Sequence, residues 1–224
     1  MNIIVISLER AKERREKIKT QLSALNLEAV IMDAIDGQSL APFQKNKIIK
    51  NPTTGFRNGE KFLDGELGCL MSHIKAIKLA KEKNWDEVLI LEDDVILSED
   101  FSKGIKFLFR IIPGDWEHIY LGGHIYFMAP PVFQPAILPS YFKISGAYSY
   151  FLRKCAYDKV LSEFSEMELP ADDIFEKMIL REQKLKSYIF FPFLAYPSLE
   201  NSYIWNEQNQ IKTHQSLKYF KNKL

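Results

Sequence analysis

Four aliphatic residues, Val88-Leu89-Ile90-Leu91, run directly into three acids, Glu92-Asp93-Asp94, and no other stretch of the chain limits the fold so tightly. A short apolar run bounded by polar residues reads as a strand buried on both faces, which places it inside a parallel sheet covered by helices. The acids then stand where the strand leaves its sheet, the edge at which open α/β sheets bind ligands. Side chains alternate along extended backbone, so Glu92 and Asp94 project to one side and Asp93 to the other if the strand geometry continues. Two converging carboxylates repel unless a hard divalent cation joins them, and Mg²⁺ or Mn²⁺ in such places completes its shell with water and substrate phosphates. The triplet therefore points to metal-diphosphate binding. The alternative is that Glu92 and Asp94 are solvated loop acids or helix caps.

The 224 residues are 46% hydrophobic and 26% charged, which fits one large soluble globular domain or two small ones. At this length folding buries roughly 70–75% of the unfolded chain's surface, so stability requires neither a disulfide nor a structural metal. The balance of 30 Lys and Arg against 29 acids argues against a general nucleic-acid binder, although local basic clusters can still grip phosphates. Cys69 and Cys155 are the only cysteines and form no Cys-x-x-Cys pattern, so a secreted disulfide framework is not expected. The apolar run from Ile3 to Leu8 is too short for a signal peptide, and no stretch approaches the roughly 18 apolar residues of a membrane span. A cytoplasmic location is the expectation.

Asn2 to Ser7 reads as a first buried strand, Ala11 to Leu25 as a charged helix with Ile18, Leu22 and Leu25 at helical spacing, and Glu28 to Asp33 as a second strand. Such a unit implies parallel strands joined by a right-handed crossover. Residues 34–65 are turn-rich and carry Lys45, Lys47, Lys50, Arg57 and Lys61, which reads either as a lid over a phosphate ligand or as a solvated loop. Glu66 to Lys83 is a strong helix, with Leu67, Leu70, Met71, Ile74 and Ile77 on one stripe and Glu66, Cys69 and His73 along its flank. A lone histidine there is more often a satisfied, half-buried side chain than a ligand.

Glu99 to Ile112 reads as a helix and His118 to Leu121 as a strand ending at Gly122-Gly123-His124; residues 126–142, with four prolines, read as an irregular surface segment. The sheet resumes at Ile144 to Leu152, followed by helices near Ala156 to Phe164 and Ile174 to Glu182. The spacing of Asp173 and Glu176 matches a capping box, whereas Asp172 is either a second cap or a base facing the metal site. The last residues, Ile211 to Leu224, hold four lysines and no acid. Such a tail suits an anionic membrane surface, at about 1 kcal/mol per Lys, or is a frayed basic end.

Three blocks in order carry a family likeness: Ile3-Ile4-Val5-Ile6-Ser7-Leu8-Glu9-Arg10 with Arg14-Arg15, then Gly65-Glu66-Leu67-Gly68-Cys69-Leu70-Met71-Ser72-His73, then Leu91-Glu92-Asp93-Asp94-Val95. The chain from residue 3 to about 175 resembles glycosyltransferase family 25, which includes lipooligosaccharide galactosyltransferases of Gram-negative bacteria. The resemblance implies a single α/β domain of the glycosyltransferase-A type over residues 1–224, with a mainly parallel, Rossmann-like sheet flanked by helices. Its nucleotide-sugar half would run to about 125, its acceptor half over about 126–210, and the basic tail over 211–224. It further implies a donor pocket at Ser7, Leu8 and Arg10, extended by Glu66, Ser72, His73, Glu92, Asp93, Gly146 and Tyr148, with Mn²⁺ or Mg²⁺ on Glu92 and Asp94. Asp172 is the implied catalytic base, Asp173 the second candidate and Glu66 a distant third.

The implied reaction is inverting transfer of a hexose, galactose from UDP-galactose being favoured, to an oligosaccharide or glycolipid acceptor. The partners are a UDP-sugar and that acceptor, with no nucleic acid and with membrane contact through the tail. Two other classes fit parts of the sequence: a sugar nucleotidyltransferase, for which no early Gly-rich phosphate loop is found, and a catalytically silent carbohydrate-binding protein of the same fold.

Overall fold

Ile3–Ser7 are all buried and form β1, the strand from which the central sheet grows in a computed structural model that describes residues 1–49, 59–125, 136–140 and 144–198. In chain order there follow α1 (Lys12–Ala24), β2 (Val30–Asp33), a 3₁₀ turn (Gly37–Ser39), α2 (Pro42–Lys45), β3 (Ile48–Ile49), β4 (Glu60–Lys61), α3 (Asp64–Glu82), β5 (Glu87–Glu92) and β6 (Val95–Leu97). The second half of the chain has α4 (Phe101–Ile111), β7 (His118–Tyr120), β8 (His124–Ile125), β9 (Ala136–Pro139), β10 (Ile144–Ser145), β11 (Ser149–Arg153) and α5 (Lys154–Ser165). It closes with α6 (Ala171–Glu176), which runs into a π turn (Lys177–Arg181), then β12 (Ser187–Phe191) and β13 (Ala195–Pro197).

The main sheet has the order β2-β1-β5-β11-β7-β12-β9. β2, β1, β5, β7 and β12 run one way and β11 and β9 the other, so the sheet is mixed but mostly parallel. Val5 pairs with Leu91 and Ile6 with Glu92, which brings the ends of β1 and β5 to the same edge.

The apolar run of β5 divides between two layers, as its period of two requires. Val88 and Ile90 pack with Leu67, Leu70, Ile74 and Ile77 of α3 and with Val160 and Phe175 behind them. Leu89 and Leu91 pack on the opposite face with Ile18 and Leu22 of α1 and Phe101, Ile105 and Leu108 of α4. The strand is thus buried on both faces, and truncating Ile90 to Ala should cost about 2–5 kcal/mol because neighbours on every side limit collapse of the cavity. α1 and α3 end alike, at Asn26 (φ 53°) and Asn84 (φ 54°) in left-handed conformation. Leu27 N donates to Leu22 O and Trp85 N to Ala80 O, which satisfies carbonyls the helix leaves open.

Three expectations change. Part of the proline-rich segment is a strand: Ala136–Pro139 pairs with β12 at the sheet edge, where Pro139 can lack an N–H without breaking a ladder. The rest of that segment apart from Ser140, residues 126–135 and 141–142, lies outside the described residues, as does the lysine-rich tail. β12 and β13 leave no clear periodic signal in the sequence, because Ser187 to Pro197 mixes aromatics and prolines without clean alternation. The turn-rich region 34–65, of which residues 50–58 with Lys50 and Arg57 lie outside the described residues, holds short elements, and its 3₁₀ turn sits directly on the start of α3. A Cβ on Gly37 would fall 1.6 Å from Asp64 O, and one on Gly68 would fall 2.6 Å from Gly37 N. Two glycines are needed for that contact.

Candidate active site

β5 ends at Glu92, and the chain then turns at Asp93 and Asp94 before entering β6. The turn is held on both sides, by Glu92 N donating to Tyr148 O (2.9 Å) and by Ser198 N donating to Asp94 O (2.7 Å). Extended geometry stops here, so strand alternation no longer fixes the side taken by Asp94, yet its carboxylate stays close enough to Glu92 for that acid to be its strongest charged neighbour. Glu92, still in the strand, points to the α3 face. Asp93 points to the α1 face, and Asp94 after the turn meets the same helix.

On the α1 face, Asp93 accepts a hydrogen bond from Ser7 Oγ (2.7 Å). Arg14 Nη1 lies 3.5 Å from Asp93 Oδ1 and 3.3 Å from Asp94 Oδ2. Arg14 is buried on the stripe that also carries Ile18 and Leu22, an arrangement legible in the sequence as a charged residue one and two turns from apolar ones on the same face. Arg15 donates to Ser7 O (2.9 Å) and to Asp33 Oδ1 (2.8 Å), which ties the end of β1 to the end of β2. Burial raises the Asp93 carboxyl, while Ser7 and Arg14 oppose the shift. Asp94 is pushed up to about 7, first by burial and then by the neighbouring charge of Glu92, against the pull of Arg14.

On the α3 face, Glu92 Oε1 lies 3.2 Å from His73 Nε2 and 3.8 Å from Cys69 Sγ. His73 Nδ1 is 2.9 Å from the Tyr150 hydroxyl, and both rings are fully buried rather than half-buried. Burial, reinforced by Glu92, Asp172 and Asp94, raises the Cys69 thiol well above its usual range.

Asp172 reaches this site from α6. Its Oδ2 accepts from Gly146 N and its Oδ1 from Asp173 N, each at 3.1 Å. α6 begins at Ala171 after Pro170, so Asp172 and Asp173 occupy its first turn, and the expected capping box starting at Asp173 is absent. The helix starts straight after Pro170, three residues earlier than that spacing implies. Burial raises the Asp172 carboxyl; its two backbone donors oppose the shift, and the Glu92 charge adds to it. Gly146 has φ +96°, and a Cβ there would meet the Tyr148 ring at 2.8 Å. Tyr148 is itself buried, with its hydroxyl raised by burial and by Asp94 and Glu92.

The remaining predicted residues fall around this centre. Leu8 is half-buried beside Ser7. Arg10 binds Asp36 (Nε to Oδ2, 2.6 Å) and holds that carboxyl below its usual range. Glu66 Oε2 accepts from Leu63 N at the start of α3, and Ser72 links Gly68 O to Ile35 N. These contacts give both residues structural work. Ser7, His73, Glu92, Asp93, Asp94, Gly146, Tyr148 and Asp172 come together, and Arg14, Cys69 and Tyr150 join them, three residues whose part in the site no local sequence pattern announces.

The donors suit a divalent cation. Asp94 and Asp172 are both displaced toward their protonated forms, and Glu92 contributes to each shift, so a positive charge placed among them relieves repulsion that Arg14 leaves uncompensated. The carboxylate oxygens of Glu92 and Asp94 match a hard ion such as Mn²⁺ or Mg²⁺.

Several solved structures share partial likeness at low identity. A glycosyltransferase involved in the glycosylation of the major capsid of PBCV-1 aligns over 95% of this chain and 98% of that one at 12% identity, with a TM-score of 0.48. The galactosyltransferase LgtC, in complex with donor and acceptor sugar analogs, aligns over 80% and 70% at 16% identity, with a TM-score of 0.43. Among curated relatives, procollagen galactosyltransferase 2 of Homo sapiens is 31% identical over 126 residues, covering 54% of this chain and 20% of the relative. Probable inactive glycosyltransferase 25 family member 3 of Bos taurus is 28% identical over 126 residues, covering 54% of this chain and 21% of the relative. The chain thus spans about one-fifth of the length of the curated relatives it matches. The family model described as glycosyltransferase family 25 (LPS biosynthesis protein) matches residues 1–128, more than half of the chain and including all three acids of the β5 turn. With that match, the chain, an α/β domain on a mixed and mostly parallel sheet, belongs to glycosyltransferase family 25.

Proposed function

We propose that this chain is a metal-dependent, inverting glycosyltransferase. It moves a hexose, galactose from UDP-galactose, onto an oligosaccharide or glycolipid acceptor of lipooligosaccharide or another surface glycan, at the inner face of the cytoplasmic membrane. The observation that carries the reading is the gathering of Glu92 at the end of β5, Asp94 in the turn that follows and Asp172 from α6 within electrostatic reach of one another, at the edge where β1 and β5 end.

In this reading Asp172 is the base. Its carboxylate is fixed by the N–H groups of Gly146 and Asp173 and raised by burial, which brings a normally weak base closer to working pH. It removes the proton from the acceptor hydroxyl as that oxygen attacks the anomeric carbon on the side opposite the UDP. Asp173, beside it in the same turn, is the second candidate. Glu92 and Asp94 would hold Mn²⁺ or Mg²⁺, which when bound supplies Lewis-acid stabilisation to the departing diphosphate. Arg14 holds Asp93 and Asp94 in place rather than reaching for phosphate. Ser7, Leu8 and Arg10, at and just beyond the end of β1, stand at the uridine side, and Gly146 and Tyr148 at the donor sugar. Among the described residues no helix is long and apolar enough to cross a membrane. In this reading the lysines of the tail, Lys212, Lys218, Lys221 and Lys223, make the contact with an anionic membrane surface.

The test is UDP release from a panel of UDP-sugars, with and without saccharide acceptors, in Mn²⁺ and again in chelator. The expected result is acceptor-dependent release from UDP-galactose that chelator abolishes. Release of pyrophosphate would instead identify a nucleotidyltransferase. A second reading, a catalytically silent glycan binder, is favoured by the relative named as probably inactive; it predicts glycan binding with no UDP release under any condition.

A further inference from the structure

Cys69 and His73 stand one helical turn apart on α3 and present their side chains to the same carboxylate oxygen. We propose that Cys69, His73 and Glu92 form a binding site for a borderline-soft divalent cation of the Zn²⁺ class, distinct in chemistry from the hard-cation pair Glu92 and Asp94 and sharing one carboxylate with it.

The three donor atoms lie within 4.8 Å of one another. Zinc bond lengths of about 2.0 Å to nitrogen or oxygen and about 2.3 Å to sulfur place tetrahedral donors roughly 3.3–3.6 Å apart. The observed 3.2 Å from His73 Nε2 to Glu92 Oε1 and 3.8 Å from Cys69 Sγ to the same oxygen differ from that spacing by only a few tenths of an ångström. The third separation, Cys69 Sγ to His73 Nε2, is no more than 4.8 Å, and binding requires the Cys69 side chain to rotate toward the ring.

The outer contacts also fit a metal-binding histidine. Such a ring usually hydrogen-bonds through its second nitrogen, which orients it and selects the tautomer. Here the second nitrogen, Nδ1, meets the hydroxyl of Tyr150, itself fully buried. A tyrosine hydroxyl both donates and accepts. It can donate to Nδ1 while Nε2–H faces Glu92, and accept from Nδ1–H once Nε2 turns its lone pair to a cation.

Binding then follows a simple balance. The Cys69 S–H bond breaks, an S–metal bond forms, and one proton leaves to solvent for each ion bound. The imidazole shifts its proton from Nε2 to Nδ1 without net release. The acids around the thiol, Glu92, Asp94 and Asp172, oppose a bare thiolate but attract a dication. A thiolate and an imidazole select Zn²⁺ or Co²⁺ over Mg²⁺ or Mn²⁺. Three protein ligands leave a fourth position beside Glu92, whose side chain is partly open, as in zinc sites that keep an exchangeable ligand.

Titration of the purified chain with Co²⁺, without donor or acceptor sugar, reads this site independently of glycosyl transfer. The expected result is saturation at one equivalent, with a thiolate-to-Co²⁺ charge-transfer band, intense visible bands of a four-coordinate ion, displacement by Zn²⁺ and release of one proton. Cys155, the other cysteine, is exposed on α5, so Cys155→Ser should keep the spectrum and Cys69→Ser should lose the charge-transfer band. Tyr150→Phe should weaken binding by about 10- to 100-fold, the scale of outer hydrogen bonds to ligating histidines. X-ray absorption of the Zn²⁺-loaded unmodified chain should give one sulfur together with nitrogen and oxygen neighbours. A band that persists in Cys69→Ser, or a zinc shell without sulfur, overturns the proposal, and the second measurement stands even where a variant fails to fold.

Discussion

The two faces of the sheet receive adjacent acids from one strand end and treat them in opposite ways. On the α1 face Asp93 meets Arg14 and the Ser7 hydroxyl, so a buried charge is matched by a cation and a donor. On the α3 face Glu92 meets His73 and Cys69, both able to be neutral, and shares its surroundings with Asp172. The first arrangement stabilises a turn. The second leaves negative charge concentrated where a ligand cation would be drawn in, and Asp94 stands between them, held by Arg14 yet raised by Glu92. Neighbouring residues of identical chemistry thus become scaffold or site according to the helix they meet.

The most severe test of this contrast is Arg14→Ala. It strips the cation from buried Asp93, and breaking a buried pair from one side costs about 3–5 kcal/mol. Urea unfolding should show that loss, and Arg14→Met combined with Asp93→Asn should recover most of it. A single substitution costing under about 1 kcal/mol would mean the α1 face is no scaffold.

On the other face, Asp172→Asn should retain UDP-sugar binding while transfer falls on the order of 100-fold, the scale of general base catalysis. Single-turnover rates beside donor titrations separate the two. Undiminished transfer would shift the base to Asp173 or elsewhere.

Asp94 offers a finer discrimination through pH. Its folded pKa of about 7 lies above the ordinary 3.8, so the folded chain holds a proton that the unfolded chain releases. In chelator, its contribution is present below about pH 4 and is lost as pH rises through 7. Asp94→Asn should remove that slope and, at pH 8 without metal, stabilise the fold on the order of 1 kcal/mol, a figure reduced for partial exposure. Unfolding midpoints from pH 5 to 8 report it, and parallel slopes for the two proteins would contradict the assignment. Adding Mn²⁺ at pH 8 should restore stability to the unsubstituted chain alone.

Tyr150→Phe is the mildest change. It removes one buried hydrogen bond to His73 and should cost about 1 kcal/mol in thermal or urea unfolding. A loss several times larger would show that the tyrosine supports the whole α3 face.

Local pattern alone was enough for much of the frame. The buried strand before Glu92, the helix carrying Cys69 and His73, and the opening crossover unit follow from periodicities of two and 3.6, which depend on near neighbours in the chain. The position of the acids at a strand end was settled in the same way, as was the presence of a histidine flank on α3. Pairing was not. Whether Asp93 or Asp94 joined Glu92 depended on a backbone turn held by Tyr148 and Ser198, residues more than 50 positions away. Arg14 met these acids only because α1 packs on one face of the sheet, and Tyr150 met His73 only because β11 lies beside β5. Asp172 came near Glu92 by the packing of α6, and Pro170 began that helix before the expected cap. A buried charge takes its properties from the groups within a few ångströms, and in this chain those groups arrive from distant segments that only the packed layers bring together.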